Sequence, residues 1–177
     1  EANSRFGFSA KTTLSLAQAL YEKHKALTYP RTDSRALPED YLPVVKDTMA
    51  MIASAELPGP LRALATHAGK AVREGYIKPN KRIFDNAKVS DHFAIIPTMQ
   101  APGSLTEAEA KLYDMVVKRF IAVFYPSAEF MVTTRITKVP ANGQEHHFQT
   151  NGKVLVKPGW QAVYGKEVAE EGDDTTL

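Results

Sequence analysis

The chain has 177 residues, 44% apolar, 24% charged and 9% aromatic, which suits one generous globular domain or two small ones and excludes a disordered chain. Its longest apolar run is six residues, 120–125, against the roughly 20 that a bilayer-crossing helix needs; no charged-then-apolar leader opens it, and it has no cysteine, so a membrane span, a signal peptide, disulfides, a thiol nucleophile and a cysteine-ligated zinc are not expected. The net charge of +2 hides a basic body, with 22 basic and 15 acidic side chains in residues 1–166 (net +7), and an acidic tail of Glu167, Glu170, Glu171, Asp173 and Asp174, a distribution compatible with a polyanionic ligand or with a merely solvated basic surface.

Taken in chain order, Glu1-Ala2-Asn3-Ser4-Arg5-Phe6-Gly7-Phe8 does not read as a natural start, and the end stops without a terminal element. A fragment of a larger protein is expected. Ser9 is a good N-cap for a helix over about residues 10–26, where Leu14, Ala17, Leu20, Tyr21 and His24 fall at helical spacing. Leu37-Pro38-Glu39-Asp40 predicts a second helix start, with proline at the first helical position and acids in the first turn. Leu42, Val45, Met49 and Ile52 then share one face, and Pro58-Gly59-Pro60 ends that unit. A short helix over about 61–68 should turn Leu61, Leu64 and Ala65 inward. Residues 69–104, rich in Gly, Pro, Asn and Lys, read as irregular, and a stretch that long is usually functional or mobile. Thr106 and Glu109 predict a capping box with Leu105 as a staple; Leu112, Met115, Val116, Phe120 and Val123 predict the apolar face that follows, and Pro126 its end.

Beyond that point the hydrophobic period changes from 3.6 to 2. Residues 130–139 read as a strand, Asn142-Gly143 as a type I′ hairpin turn, and Phe148 lies on the return strand. Asn151-Gly152 reads as a second tight turn, 153–156 as a further strand, and Pro158-Gly159-Trp160 as a turn before a short strand ending at Tyr164. The expected fold class is α+β: a mainly helical domain over 1–127, a small antiparallel β segment over 128–166 and an acidic tail over 167–177. About 45 residues of hairpin are marginal alone, so the sheet is expected to be completed elsewhere.

Thr28-Tyr29-Pro30-Arg31-Thr32-Asp33-Ser34 carries the chemistry. Tyr29 offers a phenol, Pro30 restrains the backbone around it, and Arg31 offers a permanently charged fork for phosphate oxygens. Thr32, Asp33 and Ser34 add groups that can orient Arg31 or cap the next turn. A phenolate that attacks phosphorus beside an arginine forms an aryl phosphodiester, which the freed sugar hydroxyl can reverse without ATP. Ordinary turn chemistry before the helix at Pro38 would use the same residues.

The segment resembles the active-site tyrosine motif of the type IA DNA topoisomerases, and its Leu27-Thr28-Tyr29-Pro30-Arg31-Thr32-Asp33 form is most similar to the bacterial topoisomerase III branch. Residues 1–10 with the helix at 14–21, the run Asp91-His92-Phe93-Ala94-Ile95-Ile96-Pro97-Thr98, the helix from Leu112-Tyr113 to Arg119-Phe120, and Gly152 through Gly159-Trp160 resemble further family segments, in family order. The resemblance implies that Tyr29 attacks single-stranded DNA and retains the 5′ phosphate, that Arg31 stabilises the transition state, and that His92, with Thr32, Asp33 and Ser34, binds and positions the DNA. Phe93 stands where many relatives have a second histidine or a glutamate, and is expected in the core. The family's Mg²⁺ belongs to an N-terminal Toprim domain. No Asp-x-Asp-x-Glu pattern occurs here, so this chain is expected to bind no metal and to be inactive alone. The implied partners are single-stranded DNA and the remainder of the parent topoisomerase, the Toprim domain and the rest of the toroid, with no membrane; the implied location is the bacterial cytoplasm, at the nucleoid.

Other candidates have plainer readings. His146 and His147 should point to opposite faces of a strand. His24 and His67 sit where they can interact with helix C-termini, although His24 is close enough in sequence to serve Tyr29 as a proton acceptor. Lys70, Arg73, Lys78, Lys81, Arg82 and Lys88, with Tyr76 and Phe84 interleaved, could form a single-strand track or a solvated loop. Trp160 should pack a sheet corner, and Arg5 and Lys11 could approach a DNA backbone. The rival function is a non-catalytic single-stranded nucleic-acid-binding module; a third is a protein-interaction domain using the acidic tail.

Overall fold

A computed structural model describes residues 1–54 and 57–165; the acidic tail lies outside the described residues. The fold is α+β, and the chain divides into two compact units that part between Tyr125 and Pro126.

The first unit begins with a one-turn helix, α1 (Ala2–Phe6), closed by Gly7 at φ 70°. Helix α2 (Ala10–Glu22) starts where the Ser9 hydroxyl accepts the Thr12 backbone N–H over 3.0 Å. It ends four residues before the expected position. Lys25 takes φ 54°, and the Ala26 N–H closes back onto the Leu20 carbonyl over 2.8 Å. This is a Schellman-type end, usually given to glycine. A 3-10 turn (Glu39–Tyr41) precedes α3 (Leu42–Ala53), which buries Val45, Thr48, Met49 and Ile52.

A second 3-10 turn (Gly59–Ala63) leads into α4 (Leu64–Arg73). This helix runs five residues past its expected end, so Lys70 and Arg73 are helical and the irregular segment is shorter than its composition suggests. Its buried residues are Leu64, Ala68 and Ala71, with Ala65 only half-buried. The small side chains let α4 lie close to α3, and a Cβ at Gly69 would already touch Ala53 at 4.0 Å.

Helix α5 (Glu107–Ala122) opens with both bonds of the capping box, the Thr106 hydroxyl accepting from Glu109 N and the Glu109 carboxylate accepting from Thr106 N. Its buried stripe is Leu112, Tyr113, Val117, Phe120 and Ile121. The expected stripe is therefore rotated: Met115 and Val116 are half-buried and Val123 is exposed. The reason is that α5 faces both α2 and α4, and the widest residue, Tyr113, takes the deepest place.

Two phenols in this core give an alkaline limit to stability. Burial raises Tyr125, with help from Tyr76, up to about 12, and burial alone raises Tyr113 further. In the unfolded chain both return to an ordinary value of about 10. The unfolded state then releases protons first, so the folding advantage is intact below pH 10 and falls as the pH rises toward 12. The urea midpoint is expected to drop over that window, and to flatten in a Tyr113→Phe, Tyr125→Phe double variant. At neutral pH, Tyr113→Phe alone is expected to hold or gain stability, on the order of 1 kcal/mol, because its buried hydroxyl has no partner among the described residues. Tyr125 differs, since its hydroxyl donates to the His67 carbonyl over 2.8 Å.

The second unit is a single hairpin, β1 (Glu129–Ala141) against β2 (Gln144–Lys157). Asn142 and Gly143 both have positive φ, 52° and 75°, as a type I′ turn requires. Asn151-Gly152 makes no second turn: the pair lies inside β2 opposite Thr134 and Thr133. The Asn151 carbonyl oxygen accepts from Thr134 across the strands and from Gln149 along its own strand, which occupies the side chain that a turn would have used. Instead of a final strand, a 3-10 helix (Gly159–Tyr164) closes the unit. It starts at Gly159, φ 50°, where a Cβ would lie 2.5 Å from the Pro126 and Ser127 carbonyl oxygens, so only glycine fits. Trp160 packs no sheet corner. It stays 43% exposed and meets Tyr164 edge-on at 6.0 Å.

Candidate functional site

The segment that follows α2 is laced to residues 83–98 by backbone and hydroxyl bonds. Leu27 bridges Pro97 in antiparallel sense, Thr28 N–H donates to the Ile96 carbonyl and Thr98 N–H to the Ala26 carbonyl, each over 3.0 Å. The Thr28 hydroxyl donates to the Ala94 carbonyl over 3.0 Å and accepts from Ile96 N–H over 2.9 Å. Further on, the Ala94 N–H donates to the Ala36 carbonyl, and Leu37 bridges Phe84 in parallel sense. Residues far apart in sequence are thereby paired, and Tyr29 and His92 are brought together.

Tyr29 is half-buried. Its ring lies 4.1 Å from the His92 ring, tilted by 33°, and 5.5 Å from Tyr21 of α2 in an edge-on contact. Tyr21 reads in the sequence only as part of an apolar helix face; its eight-residue lead over Tyr29 gives no signal until the turn at Lys25 folds the strand back. An open hollow of about 380 Å³ adjoins this cluster, lined by Arg31, Thr32, Asp33, Ser90, Asp91 and His92. Arg31 and Asp33 are exposed, and neither makes a hydrogen bond or ion pair among the described residues. Thr32 and Ser34 are engaged internally. The Thr32 hydroxyl donates to the His92 carbonyl and accepts from Ser34 N–H; the Ser34 hydroxyl donates to the Lys88 carbonyl over 2.8 Å and accepts from Ala36 N–H. Both hydroxyls shape the floor that presents Arg31 and His92. Asp91, which opens the run 91–98 singled out in the sequence, joins the lining with Ser90, which nothing in its residue type marks beforehand.

The remaining candidates fall elsewhere. His24 bonds Glu109 of α5, not a helix C-terminus. His67 is half-buried on α4, and burial with Lys70 and Lys118 nearby holds its imidazole below the usual range. His146 and His147 face opposite sides of β2, opposite Val139 and Lys138 respectively. A continuous stacking track is not formed: Phe84 is buried against Phe124, Tyr76 is edge-on to Tyr125, and Lys81 and Lys88 are ion-paired with Glu39 and Asp85. Phe93 is half-buried beside Tyr41, ring centroids 4.7 Å apart. Arg5 pairs with Glu1 and lies over Phe6.

Chemically, the cluster offers an anion a guanidinium and an imidazole at one hollow, with a phenol stacked on that imidazole. Asp33 and Asp91 share the hollow, but among the described residues no three His, Asp or Glu side chains converge.

The whole chain, residues 1–177, matches the family model described as DNA topoisomerase. It is 45% identical over 176 residues to a DNA topoisomerase 3 of Bacillus licheniformis and 43% identical over 176 residues to that of Bacillus subtilis. A DNA topoisomerase 3 of Shouchella clausii is 39% identical over 175 residues. In each case the match covers 98% of this chain and 22% of the relative, so the chain spans about a fifth of the length of these relatives. No helix among the described residues is long and apolar enough to cross a membrane.

Proposed function

This chain belongs to the DNA topoisomerase family, and from that premise we propose that it is the nucleophile-bearing part of a type IA, topoisomerase III-like enzyme that cuts and reseals single-stranded DNA through Tyr29. The observation that carries the reading is the half-buried Tyr29 ring stacked on His92 beside a hollow that holds an exposed guanidinium, Arg31, with no ion pair among the described residues. A module that only binds DNA has no need of a phenol held there.

In the proposed step the Tyr29 phenol oxygen bonds to phosphorus and the bond from phosphorus to the 3′ oxygen breaks. The phenol proton is balanced by the one gained by the departing 3′ hydroxyl, and the 5′ phosphate stays on Tyr29. Arg31 offsets charge that builds on the non-bridging oxygens, and His92 holds the phosphate. Thr32 and Ser34 keep the floor in place through their internal bonds, and Asp33 stands exposed at the same hollow, on the DNA-binding side of the site. Attack by the 3′ hydroxyl reverses the step after a second strand has passed.

The Mg²⁺ dependence suggested by the family is assigned to the rest of the parent, the Toprim portion. No step above runs through a metal, and the chain alone is proposed to be inactive. Its mainly helical part (1–127) would then carry the tyrosine, and its hairpin (128–166) would join the arch of a toroid completed by the remainder of the parent, in the bacterial cytoplasm at the nucleoid. The second reading, a non-catalytic single-strand binder, is kept by the exposed cations Lys78 and Arg82.

The test is covalent transfer. Single-stranded DNA labelled at its 3′ end is mixed with the chain, Mg²⁺ and a separately made Toprim-containing portion of the parent. Label is expected on wild type after denaturation and on none of the Tyr29→Phe sample, which should still bind DNA. Label on both would remove Tyr29 from the mechanism. A parent enzyme that transfers no label would leave the binding module as the function.

A further inference from the structure

One buried ionisable pair takes no part in that chemistry. The side chains of His24 and Glu109 are 8% and 9% exposed, and Nε2 of His24 donates to Oε2 of Glu109 over 3.0 Å across 85 residues of sequence. The same carboxylate oxygen accepts the Thr106 N–H over 3.1 Å. A capping box works with its glutamate in water. Burying a carboxylate is costly unless its lone pairs are met, so the imidazole is what lets this cap lie inside the protein.

His24 also stands at a constrained point of the chain. The next residue, Lys25, holds φ 54° without being glycine, a conformation that persists only where its surroundings impose it. Its carbonyl accepts the Thr98 hydroxyl, and the chain then runs straight into Ala26, Leu27, Thr28 and Tyr29, paired with residues 94–98. The turn is thus held from two sides, by α5 through His24 and by the histidine-bearing segment through Lys25. We infer that His24 and Glu109 form a positioning pair for Tyr29, fixing the turn between α2 and the tyrosine strand to the N-terminus of α5 and so setting the Tyr29 ring against His92.

The test has two arms. In the wild-type chain, proton NMR reads the stacked rings as cross-relaxation between Tyr29 and His92 and as a ring-current shift of the His92 signals. Glu109→Gln keeps an acceptor and a capping-box residue, and is expected to keep both signatures. His24→Ala is expected to lose both while the chain retains its helical circular dichroism and a cooperative melt. If His24→Ala does not fold, His24→Leu fills the space without a donor; failure of both to fold assigns the pair a structural role only and overturns the inference. So does a folded His24→Ala with unchanged ring signals. The second arm rests on the function proposed above: in the parent enzyme His24→Ala is expected to slow cleavage about 10–100-fold with DNA affinity unchanged, and Glu109→Gln to cleave near the wild-type rate. An unchanged cleavage rate in His24→Ala counts against positioning. A silent wild-type parent strikes only at the topoisomerase reading, because the NMR arm decides the positioning without it.

Discussion

Replacing Arg31 with alanine is expected to lower single-strand cleavage by the parent enzyme about 100- to 1,000-fold, the usual cost of removing one preorganised charge-stabilising donor. The structure makes the expectation clean. Arg31 is exposed and bonds to nothing described, so its removal leaves no orphaned partner, and the thermal midpoint should not move. DNA affinity should fall modestly and lose part of its salt dependence, since one phosphate contact is gone. Arg31→Lys restores the charge but not the planar fork, and an intermediate rate is expected. Quenched-flow measurement of cleavage, with affinity measured in parallel, separates the two effects. A wild-type cleavage rate in Arg31→Ala would remove the guanidinium from the chemistry and leave it as a binding contact.

The contrast between Arg31 and its neighbours shows what sequence can and cannot deliver. Local signals were legible: the Ser9 cap, the Thr106–Glu109 box and the Asn142-Gly143 turn each depend on residues within four positions. The grouping of Tyr29, Arg31, Thr32, Asp33 and His92 around one hollow became thinkable only through motif resemblance, because the bonds that join residues 25–37 to 83–98 are backbone and hydroxyl bonds with no compositional mark. The same blindness explains the misread pieces. Asn151-Gly152 has turn composition but sits opposite Thr133 and Thr134 in a continuous ladder, and strand pairing overrides local preference. Period alone places the apolar stripe of α5 on Met115, Val116 and Val123, whereas contact with two helices at once rotates it toward Tyr113 and Ile121. In sequence Phe84 lies among lysines and arginine, as a base-stacking ring would, yet its backbone bridge to Leu37 turns it into the core.

Leu27→Ala should be the most damaging single truncation near the site. Leu27 is 1% exposed and faces Pro97, itself among the fully buried side chains. Losing the buried side-chain atoms and leaving a cavity costs about 2–5 kcal/mol, which for a chain of this size lowers the melting midpoint by roughly 2–4 °C per kcal/mol. Thr28→Val is its informative companion. It keeps the shape but strips the hydroxyl that bonds both the Ala94 carbonyl and the Ile96 N–H, a loss of about 1–3 kcal/mol. The two substitutions separate packing from register. Alanine at position 27 loosens the strand while leaving every hydrogen bond available, so the Tyr29–His92 contact should survive at temperatures where the chain is still folded. Valine at position 28 costs less stability but removes the two hydroxyl bonds that help align the tyrosine strand with the histidine segment, leaving the backbone bonds in place, so the contact should weaken and cleavage by the parent should fall further than the stability loss predicts. If instead cleavage in both variants simply tracked their melting midpoints, the alignment of Tyr29 would be set by core packing, and the hydroxyl of Thr28 would be no more than one satisfied polar group among many.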